Sequence, residues 1–246
     1  MVLRVICMLH IMLYMIFLSC FTADMEVDGN SRNAPCLAAM SCVLGDLSQA
    51  DGSASLTHGG TTVLAAVYGP CEVKMSKEML DKAAVEVMFR PKVGLPNCAD
   101  KFRERHVRDL LQATILVSLH PRSSVTVVLQ ELEDDGGLLA TSINAACLAL
   151  LDAGVSMRFL VAAVTAVIDR DGNVNLAPQE KQPVAELLAS LMLVFSEKDS
   201  SIMGVTSSGK FSQQQYDRCV ALCREASQSV FRFYRESLER KLSKSV

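Results

Sequence analysis

The chain has no excess of charge of either sign. Its 246 residues carry 24 basic and 27 acidic side chains, a net charge of -3, so no global field drives it onto a polyanion and any such contact must be a local patch. It lacks a nucleophile elbow, a P-loop and a dinucleotide fingerprint, which excludes the enzyme classes that depend on them. Its four histidines (10, 58, 106 and 120) sit in no nucleophile or metal motif. The nine cysteines are odd in number and have no disulfide-like spacing, and several lie among Ala, Leu and Val as buried free thiols do. Cys219 and Cys223 share a helix face, but zinc wants four ligands and no second pair lies near, so packing is the expected role and no metal or cofactor is expected. No short-period repeat or long disordered tail is present, and half of the residues are apolar, enough for one large core.

The first two dozen residues point in another direction. After Arg4 an apolar run from Val5 to Leu18, broken by His10, is followed by small and polar residues, the plan of a secretory signal peptide. The run is shorter than the roughly 20 apolar residues that span a bilayer, so no membrane helix is expected. The remainder has no Asn-x-Ser/Thr acceptor after Met25, and Met25 opens an ordinary soluble sequence. The expectation is that residues 1–24 stand outside the fold, 25–36 form a flexible lead-in and 37–246 form one domain; a secreted or lumenal protein is the alternative that the leader alone supports.

Turn chemistry and periodicity organise the rest. Asp51-Gly52 and Gly59-Gly60 punctuate SASLT and TTVLAAVYG, which predicts a β-hairpin or meander. AAVEVMFR predicts a strand ended by Pro91, helical spacing predicts a helix from Lys101 to Leu119, and SVTVVLQELE reads as a strand. A turn and helix follow to about Ala153, then an apolar strand at 159–168 covered on both faces, a DRDGN hairpin and a further strand pair. Ser212 and Gln215 form a capping box for a long helix with Tyr216, Cys219 or Val220, Cys223, Ala226, Val230, Phe233 and Leu238 on its apolar stripe. The order of elements gives an α+β or mixed α/β sandwich.

Two stretches carry candidate chemistry. Residues 134–154, DDGGLLATSINAACLALLDAG, build a glycine turn into a helix N-terminus, a ready anion cradle, yet place Leu138 and Leu139 at its rim. Between Arg90 and Arg108, six cations (Arg90, Lys92, Lys101, Arg103, Arg105, Arg108) face two acids. Phosphate-backbone contact on one side, and a solvated face or ion pairs to another subunit on the other, are equally open readings of this block, because cations near a helix N-terminus oppose its dipole and must gain something elsewhere. The C-terminal RFYRESLERKLSKS mixes aromatics and charges; it could bind RNA or dock at a subunit seam.

The blocks QADGSASLTHGGTTVLAAVYGP, RPKVGLP, RERHVRDLLQATILVSLHPRSSVTVVLQ, the stretch through NAACLALLDAG, and VFRFYRESLERK occur in order and together resemble the RNase PH-like family, within it the ring subunits of the RNA exosome. The resemblance covers roughly residue 37 onward. It implies an α+β RNase PH-like fold (ribosomal protein S5 domain 2-like) and a six-membered ring around an RNA channel. Active members degrade RNA from the 3' end by phosphorolysis with a Gly-Gly-Thr-Arg cradle; the matching residues here are Gly136, Gly137, Leu138 and Leu139, with Ser142 keeping the helix start. The acids of active members fall near Ala177 and Pro183, and neither Glu180 nor Glu186 sits at those positions. Arg105 and Arg108 fall in the block where active relatives place arginines for RNA or phosphate, and Lys101 and Arg103 of the same basic block complete the expected RNA-binding set. What the resemblance implies is therefore a ring subunit without catalytic residues or cofactor. Its partners would be an RNase PH-like subunit of the other lineage, S1/KH cap subunits, associated nucleases and RNA, but no membrane. Residence would be nuclear, nucleolar and cytoplasmic, and the tasks ribosomal RNA maturation, messenger RNA turnover and surveillance. An active phosphate-dependent exoribonuclease using another acid, such as Glu180, is the alternative.

Overall fold

The computed structural model describes residues 37–170, 173–176 and 187–244. The leader 1–24 and the lead-in 25–36 lie outside the described residues, as do Ala177, Glu180, Pro183 and Glu186.

Two sheets and three helices make up the described fold. The first sheet has the order β1 (Met40–Leu44), β2 (Gly52–His58), β3 (Thr61–Glu72), β5 (Ser123–Glu133) and β4 (Ala84–Arg90). All neighbours are antiparallel except β4 and β5, which run parallel. A parallel pair needs a crossover, supplied here by helix α1 (Cys98–Thr114), which packs against β4. The second sheet has the order β7 (Val174–Asn175), β6 (Val161–Asp169), β8 (Leu187–Ser196) and β9 (Ile202–Gly209), antiparallel throughout. Helix α2 (Leu138–Ala153) packs on β2 and β3 of the first sheet and on β6 of the second; helix α3 (Gln213–Lys244) lies over β6, β8 and β1. This is the expected α+β, RNase PH-like arrangement of mixed sheets and helices.

Local chemistry explains most elements. Gly59, at φ +62°, supplies the left-handed position of the two-residue β2–β3 turn. Val161–Ile168 is apolar at every position but one, and β6 is buried along almost its whole length beneath α2 and α3. α2 is buried on all sides because Ala, Cys and Leu leave it no polar face, and it ends at Gly154 in the left-handed region. The Ser212 and Gln215 box forms as expected: Ser212 N donates to Gln215 Oε1 at 2.8 Å and Gln215 N to Ser212 Oγ at 3.3 Å.

Two expectations need correction. The helix predicted to Leu119 stops at Thr114, because Ile115 turns extended and bridges Met157, and only a short 3-10 turn at Val117–Leu119 follows. The stripe of α3 runs through Cys219, Cys223, Ala226 and Val230 as expected, but Phe231 and Tyr234 are its buried aromatics, while Phe233 is only partly buried; Tyr234 donates its hydroxyl to Val161 O.

The thiols behave as packing. Burial pushes Cys147 and Cys223 up to about 12, whereas Cys71 and Cys98 are exposed. Brief alkylation of the native protein at pH 8, followed by peptide mass spectrometry, should therefore label Cys71 and Cys98 and spare Cys147, Cys219 and Cys223.

Candidate functional site

The glycine turn stands at the end of β5, where strand hands over to α2. Gly136 has φ +112° and Gly137 φ +69°, both in the region that favours glycine, so the turn cannot be built with ordinary side chains. Gly137 caps α2 without a side-chain hydrogen bond. One hydroxyl from the neighbouring hairpin holds the turn from both sides: Thr61 Oγ1 donates to Gly136 O at 2.7 Å and accepts from Asp135 N at 3.0 Å. Asp134 Oδ1 accepts the Gly136 N–H at 3.0 Å, so a carboxylate of the chain already satisfies a donor of the turn.

The two leucines do not line a rim in the way their sequence position suggests. Leu138 is 5 % exposed and belongs to the hydrophobic core, and Leu139 packs partly against it. Burial of the first helical residue follows from α2 being wedged between sheets. Ser142 is fully buried and donates to Leu138 O at 2.7 Å, so its hydroxyl is spent within the helix. Behind the turn a small cavity is bounded by Ala38, His58, Gly136, Gly137 and Thr165. His58 Nε2 is buried there with no hydrogen-bond partner, and burial holds its pKa below the ordinary imidazole value.

In front of the turn the surface is acidic. Gly60, Lys92, Glu131, Glu133 and Asp134 line an open cleft. Burial, then the neighbouring Asp134, push the Glu131 carboxyl above the usual range, with Asp100 adding to the rise while Arg103 and Lys92 oppose it. Three carboxylates against one ammonium repel inorganic phosphate. The sequence reading missed this cleft; its signal is LQELEDD, in which strand alternation throws Glu131 and Glu133 to one face immediately before Asp134.

The four basic candidates all lie on α1, which starts with a capping box between Asn97 and Asp100. Asp100 at this position complements the helix dipole. The cations recover their cost within the helix: Arg103 pairs with Asp100 at 2.7 Å, and Lys101 and Arg108 both pair with Glu104 at 2.9 Å. Arg103 also sits 5.8 Å over the Phe89 ring. Arg105 is held least, at 3.9 Å from the exposed Asp109. The block therefore splits into Arg103 and Arg108, partly covered and tied to buried acids, and Lys101 and Arg105, which project to solvent.

His106, one helical turn below Phe102, faces β9: its Nε2 is 3.5 Å from Thr206 Oγ1, and burial outweighs the nearby Asp109 to lower its pKa. His58 and His106 both favour the neutral form when folded. The unfolded chain then binds more protons below the ordinary imidazole pKa, so stability is full above about pH 6.5 and falls as the pH drops toward the lowered folded values. Urea midpoints should be lower at pH 5.5 than at pH 7.5, and His58→Leu should flatten that difference.

Among the described residues no group of three or more His, Cys, Asp or Glu is placed to hold a metal ion, and no helix is long and apolar enough to cross a membrane. Residues 25–156 match the 3' exoribonuclease family, domain 1, of RNase PH. The exosome complex exonuclease RRP46 homolog of Arabidopsis thaliana is 31 % identical over 239 residues, which covers 90 % of this chain and all of the relative. The human exosome complex component RRP41 is 35 % identical over 183 residues, covering 68 % of this chain and 73 % of that protein. The crystal structure of rice Rrp46 superposes with a TM-score of 0.79 at 33 % identity, over 85 % of this chain and 98 % of that one. An archaeal exosome core subunit, at 18 % identity and a TM-score of 0.71 over 83 % of this chain and 89 % of its own, shares the fold.

Proposed function

The chain belongs to the RNase PH family of 3' exoribonucleases, and on that premise we propose that it is a catalytically inert ring subunit of an RNA exosome, in the position of the RRP46-type subunit, exosome component 5. The observation that carries the proposal is the state of the glycine turn. Its shape is kept by Gly136, Gly137 and Thr61, its Gly136 N–H is taken by Asp134, and the approach is lined by Glu131, Glu133 and Asp134. Leu138 and Leu139 offer neither hydroxyl nor guanidinium; a charged hydrogen bond of the missing kind contributes roughly 1.5–3 kcal/mol, and arginine's bidentate fork has no apolar substitute.

In this role the subunit supplies walls and neighbours with contacts while a separately attached nuclease cuts. Its partners are RNase PH-like subunits of the other lineage in a six-membered ring, with S1/KH cap subunits above, and its residence is nuclear, nucleolar and cytoplasmic. Lys101 and Arg105 are the α1 cations that reach passing RNA, with Arg103 and Arg108 behind them as a fixed second row. Support for RNA contact over mere ion pairing comes from the exposure of Lys101 and Arg105 beyond their own acids.

The test is phosphorolysis by the purified full chain on a short single-stranded RNA in phosphate buffer. No nucleoside diphosphate should be released above a no-protein control. Robust turnover that disappears in Glu180→Gln would replace the inert reading with an active phosphate-dependent exoribonuclease. Affinity purification from cells should recover other RNase PH-like subunits with the chain.

A further inference from the structure

One aromatic side chain on α1 has no part in the core. Phe102 is 59 % exposed although it lies in a helix whose other large apolar residues, Val107, Leu110 and Leu111, are buried. Its ring is stacked on the His106 imidazole, with centroids 6.3 Å apart and planes inclined by 18°. His106 is itself fixed: it lies beside Thr206 Oγ1 and close to Gly204, where Leu110 also packs against β9. The imidazole therefore lies beside the Phe102 ring, nearly parallel and offset from it, and more than half of Phe102 is left to solvent.

The neighbours of this ring are cationic. Lys101 is adjacent in sequence and 63 % exposed; Arg105 is one helical turn on and 79 % exposed. With Cys98 and Asp109 they form the solvent strip of α1, while the buried side carries Asp100, Glu104, Val107, Leu110, Leu111 and Thr114.

We propose that Phe102 is a base-stacking platform for single-stranded RNA, with Lys101 and Arg105 holding the phosphates on either side of the stacked nucleotide. A phenylalanine ring has only two side-chain torsions to fix when a base covers it, and stacking is tolerant of sequence because every base has a π-face. A duplex offers no free base face, so the occupant is a single strand. A protein docking core is depleted in lysine, whereas here the ring lies between two exposed cations, which favours a polyanion with planar groups. The inference rests on the proposed RNA contact of the basic block and adds to it the group that reads bases and not charge.

The measurement is binding of a 5'-labelled single-stranded 12-nucleotide RNA to the full chain by fluorescence anisotropy across a salt series. Phe102→Ala should weaken binding by about fivefold or more without changing the salt slope, and Phe102→Trp should restore it. Arg105→Gln should reduce the salt slope by about 0.7. An RNA containing 5-iodouridine should crosslink to the peptide that holds Phe102. If Phe102→Ala binds like the parent while Arg105→Gln has the reduced slope, the platform is refuted and the basic contact survives. If neither variant differs from the parent, both fall. If Phe102→Ala binds RNA normally but no longer recovers neighbouring RNase PH-like subunits, the ring is a protein contact and the proposal is overturned.

Discussion

Asn144→Ala should lower the stability of the fold by roughly 2–6 kcal/mol, the cost of leaving two buried polar groups without partners. Asn144 is fully buried in α2 and makes two hydrogen bonds to one residue of β6: its Nδ2 donates to Ala163 O at 2.9 Å and its Oδ1 accepts from Ala163 N at 2.8 Å. β7 covers β6 only at Val167 and Ile168, so among the described residues no strand lies on that side at Ala163, and the amide takes the place of a strand. Alanine removes both partners at once from a fully buried site. A domain with the usual 5–15 kcal/mol of stability would lose much of its margin. The fall in urea midpoint at pH 7.5, with the slope unchanged, measures it. Asn144→Asp keeps the acceptor for Ala163 N and, with its carboxyl protonated, a donor for Ala163 O, so in that form it should fall between alanine and the parent.

Gly52→Ala should do still more damage. A β-carbon at Gly52 would stand 2.3 Å from Ala153 N and 2.6 Å from Ala149 O, backbone atoms of the last turn of α2. Ordinary overpacking costs about 1–3 kcal/mol because side chains rotate away. A helix backbone has no such escape, and here it is held by the Asp152 carboxylate, which accepts from Ser53 N at 3.0 Å and pairs with Lys241 of α3. The whole end of α2 must lift from β2, and the variant should be recovered mostly as insoluble protein. Gly59→Ala is the informative comparison: its neighbour is a single side-chain carbon at 3.3 Å, so it should fold with a modest loss from its positive φ.

The elements that rest on nearby residues were legible in the sequence. Gly59-Gly60 fixes a hairpin through backbone freedom, Ser212 and Gln215 fix a helix start through reciprocal hydrogen bonds, and the nearly continuous apolar run of β6 fixes a doubly covered strand. What depended on distant partners was not legible. The end of α1 is set by Ile115 meeting Met157, and the parallel pairing of β4 with β5 is set by how α1 packs. The burial of Tyr234 on α3 goes with its hydroxyl finding Val161 O. At the glycine turn, the loss of a hydroxyl and a guanidinium could be read from Leu138 and Leu139 against the family pattern, but not the inward path of Leu138. Nor could the acidic approach be read, because it requires Glu131, Glu133 and Asp134 to converge with Gly60 and Lys92 from another part of the sheet. Phe102 lies off the apolar stripe set by Val107, Leu110 and Leu111, but nothing in KFRERHVR shows that its ring would stand beside His106.

The Thr61 hydroxyl clamp carries a broader consequence. Because the turn is fastened from the β2–β3 hairpin and by nothing a ligand would have to provide, its geometry and its chemistry are separable inheritances. A lineage can discard the reactive groups of such a loop in any order without loosening the scaffold, and an assembly that needs only the shape of the part has no reason to notice the loss.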